Sequence, residues 1–230
     1  MSVSEYRHST PVALTAALAD FIESELNAAV ASRGQASMVV SGGSTPKALF
    51  AELSQRSLPW NKITVTLADE RWVDPSDKDS NEAMLRETLL TNAAAKARFV
   101  ALKNNAETAA GGLPVCEQAI ADIPQPFDLV VLGMGDDGHT ASLFPGVAGT
   151  ALDATQPTLC AAIRPATAAH ERMSLTATAL LRSRKIILHM VGENKWQVYR
   201  QASQMGSADE FPVRVVLHQH DVPVEVYWSP

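Results

Sequence analysis

Residues 131–145 read VLGMGDDGHTASLFP, and this stretch decides the fold. It begins inside the aliphatic run Leu129–Leu132, so a short buried strand passes directly into a loop of glycine and polar residues. In α/β sheets, functional groups commonly lie just beyond the carboxyl ends of the strands. Asp137 and His139 flank Gly138, where a sharp turn would direct both side chains into one cleft. The stretch is therefore a candidate acid–base centre.

Helical and strand patterns alternate along the rest of the chain. Thr10 and Pro11 are typical of a helix start, and apolar residues at helical spacing follow until about Gly34. Further helices are predicted at residues 46–56, 82–90, 107–120 and 194–204, and strands at residues 38–40, 63–67, 129–132, 159–163, 172–175, 186–190 and 222–228. The alternation predicts an α/β fold with a mostly parallel sheet. No linker or internal repeat is evident, so we expect a single domain over residues 1–230.

The composition argues against several classes of protein. The 230 residues are 46% hydrophobic and carry a net charge of −6, which argues against a nucleic-acid-binding surface. An anionic substrate would need local cations, because the overall field opposes it. No apolar run approaches the roughly 18 residues that a membrane span needs, and the N-terminus lacks the apolar core of a signal peptide. Cys116 and Cys160 are expected to be buried, reduced thiols of a cytoplasmic protein.

A second motif, SGGSTP at residues 41–46, joins a predicted strand to a predicted helix. Glycines let the backbone approach a ligand closely, and a helix N-terminus presents free N–H groups to an anion. Thr45 takes the N-cap position and Pro46 the first helical position. The expected donors are therefore the amides of Gly43, Ser44 and Thr45, with that of Lys47 as a further candidate, and the two hydroxyls. This fits a phosphate monoester better than a dinucleotide, although an ordinary capped turn would explain the same residues.

Three cations are candidates for the same cleft. The run DER at residues 69–71 ends the second clear strand, so in a parallel sheet Arg71 lies at the same edge as the two motifs above. Lys195 starts a predicted helix, where the helix dipole disfavours a cation, and this indicates a nearby anion. Arg172 opens a short predicted strand. For each of these side chains, a solvated surface position or a surface ion pair is the alternative.

The remaining histidines are not expected to act. His8, His170 and His189 are isolated from the other polar motifs. Residues 218–221 read HQHD, but a lone run of this kind is more often a polar turn than a metal site, and no clustered ligands support it. No metal site is therefore expected, and the G-x-S-x-G pattern of a serine nucleophile is absent.

The chain resembles the 6-phosphogluconolactonases, within a wider group that includes the glucosamine-6-phosphate deaminases, in five motifs that occur in one order: SGGSTP, DERWV, DSN, GMGDDGHTASLFPG and GENK. The resemblance implies hydrolysis of 6-phospho-D-glucono-1,5-lactone to 6-phosphogluconate in the oxidative pentose phosphate pathway. It also implies a Rossmann-like α/β/α sandwich with a mostly parallel central sheet, and no cofactor, neither a nucleotide nor an obligatory metal.

The same resemblance implies roles for individual residues. His139 is expected to be the catalytic base, with Asp137 as its helper, Asp136 as a solvated neighbour, and Arg71 as a substrate-binding and charge-stabilising group. The expected phosphate pocket consists of Gly43, Ser44, Thr45, Arg172 and Lys195. We expect a small sugar phosphate lactone as the partner, with no nucleic acid and no membrane, and a cytoplasmic monomer or weak homodimer.

Two other functions stay open. A deaminase or isomerase would use Asp69 to abstract a proton and His139 to open the sugar ring. The run at residues 140–145 carries no acid, and Arg71 stands where deaminases tend to have tyrosine, so both points favour the lactonase. A non-catalytic sugar-phosphate sensor would keep the phosphate pocket but would have little use for the pair of Asp137 and His139.

Overall fold

The computed structural model describes residues 3–165 and 169–230. The strands are β1 (Val3–Arg7), β2 (Ala36–Val40), β3 (Ile63–Leu67), β4 (Asp69–Arg71), β5 (Arg98–Val100), β6 (Leu129–Leu132), β7 (Cys160–Ile163), β8 (Arg172–Leu175), β9 (Ile186–Val191) and β10 (Val224–Ser229). The helices are α1 (Pro11–Arg33), α2 (Lys47–Gln55), α3 (Asn81–Thr88), α4 (Ala109–Ala121), α5 (Ala177–Leu181), α6 (Glu193–Ala202) and α7 (Arg214–Leu217). Among the described residues, no helix combines the length and apolar character needed to cross a membrane.

Seven strands form one parallel sheet in the order β1-β10-β9-β6-β2-β3-β5. Every neighbouring pair in this sheet runs parallel, which requires long connections such as helices between paired strands. The central strands β9, β6 and β2 are buried almost throughout, which fits their largely apolar sequences. The predicted α/β sandwich with a mostly parallel central sheet is confirmed. The edge strands β1 and β5 are not predicted from the sequence, because β1 is largely exposed and β5 is short.

The register of this sheet aligns the carboxyl ends of three strands. Val40 at the end of β2 lies opposite both Leu67 at the end of β3 and Val131 in β6. The ladder continues for one further step, since Ser41 N donates to Val131 O (2.9 Å) and Ala68 N donates to Val40 O (2.8 Å). The segments that follow β2, β3 and β6 therefore leave the sheet at the same edge.

A separate antiparallel sheet has the order β4-β8-β7. The alternation of helices and strands does not reveal this sheet. Only residues 164–171 connect β7 to β8, which is too short for a parallel crossover. β4 follows β3 after Ala68 alone, and its pairing with β8 places Arg71 directly opposite Arg172.

The first helix begins and ends as predicted, whereas the second begins differently. In α1, Thr10 Oγ1 accepts a hydrogen bond from Ala13 N (3.2 Å), and Gly34 ends the helix at a φ of 77°. The prediction that Thr45 is the N-cap of α2 is wrong. Pro46 holds that position with helical backbone angles, and no side chain caps the helix. Because the Thr45 hydroxyl does not cap the helix, it is available to a ligand.

A buried carboxylate holds the start of α3. Glu70, which is 1% exposed, accepts hydrogen bonds from the backbone N–H groups of Asn81 and Glu82, both at 2.7 Å, and from Ser80 Oγ at 3.1 Å. Burial raises the pKa of Glu70 above its ordinary value, although these hydrogen bonds oppose the shift. The bonds fix the loop between β4 and α3, and they thereby fix the backbone beside Arg71, whose own N–H also donates to Glu70 (2.7 Å).

A buried histidine lies in β9, next to the centre of the parallel sheet. His189 is 3% exposed, and neither of its ring nitrogens has a hydrogen-bond partner in the described part of the chain. Burial lowers the pKa of His189 to about 4, because the apolar surroundings disfavour the charged form. The ring is therefore neutral in the folded protein near neutral pH.

We predict that His189 makes the fold sensitive to acid. The unfolded chain binds a proton near the ordinary histidine pKa of about 6.5, whereas the folded chain does so only near pH 4. Above about pH 6.5, the free energy of unfolding therefore keeps this contribution in full. As the pH falls to about 4, the free energy of unfolding decreases by about 3 kcal/mol. Denaturant unfolding of the wild type and of His189→Gln across this range should show the wild type losing about 3 kcal/mol more than the variant. Parallel curves for the two proteins would refute this prediction.

Candidate active site

A cavity of about 380 Å³ opens at the carboxyl edge of the parallel sheet. Its volume lies in the range of small-molecule sites. Seven of the eight residues that the sequence nominates line it: Gly43, Ser44, Thr45, Arg71, His139, Arg172 and Lys195. The eighth, Asp137, contacts the imidazole of His139. The structure thus brings together residues from five separate segments of the chain.

The turn after β6 pairs a carboxylate with an imidazole. Asp137 Oδ1 lies 2.5 Å from His139 Nδ1, and it also accepts a hydrogen bond from the backbone N–H of His139 at 3.1 Å. One oxygen therefore holds both the backbone and the ring of the residue two positions later, as in an Asx turn. An ionised carboxylate can only accept, so Nδ1 carries a ring proton, and in the neutral form of the imidazole Nε2 holds the free lone pair. The ring is arranged to accept a proton at Nε2.

The charge of Asp137 is stabilised by its neighbour. Burial raises the pKa of the Asp137 carboxyl, but the charge of His139 and the hydrogen bonds from its backbone N–H and its ring outweigh burial and leave the pKa below its ordinary value. The carboxylate is therefore ionised near neutral pH and is able to stabilise a positive charge on the imidazole.

Packing confines the same imidazole. A Cβ atom on Gly135 would lie 2.1 Å from His139 Nδ1 and 2.5 Å from Asp137 Oδ1, so only glycine leaves room for the pair. Gly135 N also donates to His139 O (2.8 Å), which closes the turn. The ring of Phe144 lies 4.5 Å from the imidazole, measured between centroids. The orientation of His139 therefore depends on packing as well as on Asp137.

The loop between β2 and α2 presents unpaired backbone donors. Gly43 has a φ of 100°, a conformation that favours glycine. Within residues 3–165 and 169–230, the N–H groups of Gly43, Ser44 and Thr45 make no hydrogen bond. They lie just before α2, where the positive end of the helix dipole favours negative charge. The loop can therefore bind an anion through its backbone.

Lys195, the third residue of α6, forms an ion pair across the mouth of the site. Its Nζ lies 3.0 Å from Asp136 Oδ1, so the expectation that Asp136 is only a solvated neighbour is wrong. The Asp136 side chain is 76% exposed. An exposed pair of this kind contributes about 0–1 kcal/mol, so an anionic ligand can replace the carboxylate at low cost.

Arg71 and Arg172 lie opposite each other on β4 and β8. Arg71 Nη1 donates to Asp79 O (2.6 Å), while the Nε atoms of both arginines are buried and have no partner among the described residues. Burial and the charge of Arg71 lower the pKa of Arg172. Like charges placed directly opposite each other destabilise a strand pair. An anionic group between the two guanidinium groups would offset this repulsion.

Asp69 lies on the same wall, but its carboxylate already has a partner. Ser142 Oγ donates to Asp69 Oδ2 (2.5 Å), and Ser142 N donates to Ser174 Oγ (3.1 Å). Asp69 is 7% exposed. These bonds attach Ser142 to the antiparallel sheet and occupy one oxygen of the Asp69 carboxylate.

Two buried polar side chains of the cavity are not predicted from the sequence. His189 and Ser41 both line it, and the polar side-chain atoms of both lack a partner among the residues that the structure describes. The expectation that His189 is isolated from the polar motifs is therefore wrong. The available signal was a polar residue near the carboxyl end of an otherwise apolar strand.

The HQHD run at residues 218–221 forms a polar turn between α7 and β10. Gln219 Oε1 accepts hydrogen bonds from the backbone N–H groups of Asp221 (2.8 Å) and Val222 (2.7 Å). In the described residues, no three His, Cys, Asp or Glu side chains are grouped so that they could hold a metal ion.

Comparison with known proteins points to one family. The family model described as glucosamine-6-phosphate isomerases/6-phosphogluconolactonase matches residues 9–228. The chain is 44% identical over 234 residues to the 6-phosphogluconolactonase of Rhizobium meliloti (strain 1021), with 100% of both chains covered. It is 41% identical over 219 residues to that of Pseudomonas putida, with 94% of this chain and 89% of the relative covered. The crystal structure of a 6-phosphogluconolactonase from Shewanella baltica OS155 superposes with a TM-score of 0.97 at 47% identity, covering 100% of this chain and 98% of that one.

We predict that Gly135→Ala disrupts the pair of Asp137 and His139. The added methyl group would lie 2.1 Å from His139 Nδ1, so the ring or the backbone must move. An Nδ1 proton bonded to a carboxylate gives a low-field signal in proton NMR, and this signal should broaden or disappear. Gly133→Ala is the matched control, because a Cβ atom there meets nothing within 4 Å. An unchanged signal in Gly135→Ala would contradict the packing described above.

Proposed function

The chain belongs to the family of glucosamine-6-phosphate isomerases and 6-phosphogluconolactonases, and we propose that it hydrolyses 6-phospho-D-glucono-1,5-lactone to 6-phosphogluconate. This reaction is the second step of the oxidative pentose phosphate pathway. The observation that carries the proposal is the pair of Asp137 and His139 beside a cavity whose other walls supply donors for an anion. The lactonases among its relatives support the same reaction.

Phosphate binding anchors the substrate in this proposal. The amides and hydroxyls of residues 43–45 surround the phosphate, with Lys195 replacing its contact to Asp136 by a contact to the ligand. Arg172 adds positive charge from the antiparallel sheet. Fixing the phosphate at one end holds the lactone ring at a set distance from His139, which converts binding energy into orientation of the reacting groups.

His139 then acts as the general base. Nε2 takes a proton from a water molecule as the water oxygen attacks the lactone carbonyl carbon. Asp137 holds the Nδ1 proton and stabilises the imidazolium that forms. A base placed in this way typically accelerates a reaction by about 10²–10⁴-fold. The reaction needs no covalent intermediate, because water itself is the nucleophile.

The tetrahedral intermediate carries a negative oxygen that needs a positive partner. Arg71 has guanidinium donors at the cavity wall, and it can stabilise that oxygen where the charge develops. As the bond between the carbonyl carbon and the ring oxygen breaks, His139 returns its proton to the ring oxygen, which leaves as a hydroxyl. The new carboxylic acid then loses its proton to solvent, so the product has a carboxylate at one end and the phosphate at the other.

A deaminase or isomerase of the same family is the alternative. It would need Asp69 as a base, and Asp69 does line the cavity. Ser142 occupies one oxygen of that carboxylate, however, and residues 140–145 supply no acid after His139. The alternative of a non-catalytic sensor leaves the ordered pair of Asp137 and His139 without a use.

We further propose that the chain works as a single domain, in the cytoplasm, as a monomer or weak homodimer. The match of the family model to residues 9–228 supports the single domain, because it leaves little of the chain outside. Sedimentation of the purified protein over a range of concentrations distinguishes a monomer or weak dimer from a stable oligomer.

An assay with two substrates tests the proposed reaction. The purified chain should accelerate formation of 6-phosphogluconate from the lactone above the spontaneous rate, followed by coupling to a dehydrogenase specific for that product. It should release no ammonia from glucosamine 6-phosphate. Ammonia release without acceleration of lactone opening would replace the lactonase by the deaminase.

Substitutions at the two ends of the cavity should separate turnover from binding. His139→Ala should lower kcat about 10²–10⁴-fold, because it removes the base. Lys195→Met should chiefly raise KM, by about tenfold or more, because a hydrogen bond to a charged group contributes about 1.5–3 kcal/mol. Lys47→Met is the matched control, since Lys47 is exposed at the start of α2 and is not part of the cavity wall. An unchanged kcat in the first variant or an unchanged KM in the second would reject that assignment.

A further inference from the structure

A segment between α6 and α7 packs on the turn that carries His139. Val213 N donates to Gly138 O (3.0 Å), which lies between Asp137 and His139 in the chain. The same segment also contacts the chain after His139, where Gly146 N donates to Asp209 O (3.2 Å). We call residues 207–213 the bracing segment. It contacts the chain both before and after His139 in the sequence.

The closest contact is an aromatic ring on a glycine. A Cβ atom on Gly138 would lie 2.4 Å from Phe211 Cδ1, so the ring of Phe211 lies directly against the backbone of Gly138. Gly138 also has a φ of 76°, which side chains rarely adopt. Glycine at position 138 therefore allows both the positive φ of the turn and the close contact with the Phe211 ring.

A buried arginine holds the bracing segment in place. Arg214 is 5% exposed, and its Nη1 donates to Ser207 O (2.8 Å) and to Glu210 Oε2 (2.6 Å). Its Nε donates to Ala202 O (3.2 Å) at the end of α6. The guanidinium carbon lies 4.8 Å from the centroid of the Phe211 ring. Arg214 therefore joins α6, the bracing segment and Phe211 into one unit.

The hydrogen bond from Gly135 N to His139 O and the contact with the Phe144 ring restrain the turn from within, and the bracing segment restrains it from outside. The Asp137 side chain is 50% exposed and the His139 side chain is 31% exposed. A polar, partly exposed loop moves unless packing restrains it. Displacement of a catalytic group by about 1 Å can lower a rate by about 10²-fold.

We propose that Phe211 is a positioning residue, which acts through Gly138 to keep Asp137 and His139 in the geometry that water activation needs. This inference rests on the proposed function for its kinetic consequence. Its structural consequence, an ordered hydrogen bond between Asp137 and His139, is independent of the substrate. Phe211 is not among the described residues that line the cavity, so we expect substrate binding to be unaffected.

Kinetics of Phe211→Ala provide the first test. We expect kcat to fall about 10–100-fold, because the turn loosens, while KM stays within about twofold of the wild type, because the phosphate contacts persist. Phe211→Tyr retains the ring, so we expect its kcat to match that of the wild type. Phe211→Leu removes less volume and keeps the test valid if the alanine variant does not fold. Wild-type kcat in a folded Phe211→Ala or Phe211→Leu would overturn the proposal.

A matched control separates positioning from general stability. Phe99 in β5 is also partly buried, with the guanidinium carbon of Arg86 at 5.2 Å from its ring centroid, but it is far in the sheet order from β6. Phe99→Ala should lower the melting temperature and leave kcat unchanged. An equal loss of kcat in Phe99→Ala and Phe211→Ala would show that the effect is only structural and would overturn the proposal.

The low-field Nδ1 proton signal of His139 does not depend on the substrate. It therefore distinguishes failure of this proposal from failure of the proposed function. The signal should be sharp in the wild type and in Phe211→Tyr, and broadened or lost in Phe211→Ala. If the wild type fails to open the lactone but the signal changes in this way, the proposed function is wrong and the bracing role stands. If lactone opening is normal in the wild type and the signal is retained in Phe211→Ala, the bracing role is wrong and the proposed function stands.

Discussion

The structure depends on the register of its parallel sheet at Val40, which lies opposite both Leu67 and Val131. A strand cannot slip by one residue without turning each of its side chains to the other face, and the buried central strands forbid this. The register therefore fixes where the chain leaves β2, β3 and β6. The loop with the unpaired amides of residues 43–45, Arg71 and His139 follow these three strands and line one cavity. Their spacing is thus set by the core of the protein.

Positive charge is concentrated in this cavity, although the chain carries a net charge of −6. Asp136 pairs with Lys195, and the carbonyl of Asp79 accepts one hydrogen bond from Arg71. The first contact is exposed and replaceable, and the second is a hydrogen bond to a neutral carbonyl. Arg172 faces Arg71 with its Nε unpaired among the described residues. An anionic substrate therefore meets local attraction that the overall field does not provide.

Most features set by neighbours in the sequence were predictable, with the N-cap of α2 as an exception, whereas features set by distant residues were not. The caps of α1 and the spacing of Asp137 and His139 follow from local chemistry, and both occur in the structure. Glu70 holds the start of α3 from 11 residues away, and β8 brings Arg172 opposite Arg71 from the far half of the chain. No local pattern encodes these contacts. The second sheet, and the repulsion that it creates between two arginines, therefore appear only in three dimensions.

The hydrogen bonds of the acids favour one chemistry of the family over another. A carboxylate that removes a proton from carbon needs a free oxygen facing that carbon, whereas a carboxylate that assists water activation needs an imidazole as its partner. Asp69 gives one oxygen to Ser142, and Asp137 gives one oxygen to both the ring and the backbone of His139. The sequence shows which acids are present, but the partner of each acid decides what it can do. These partners therefore support the proposed water activation at His139.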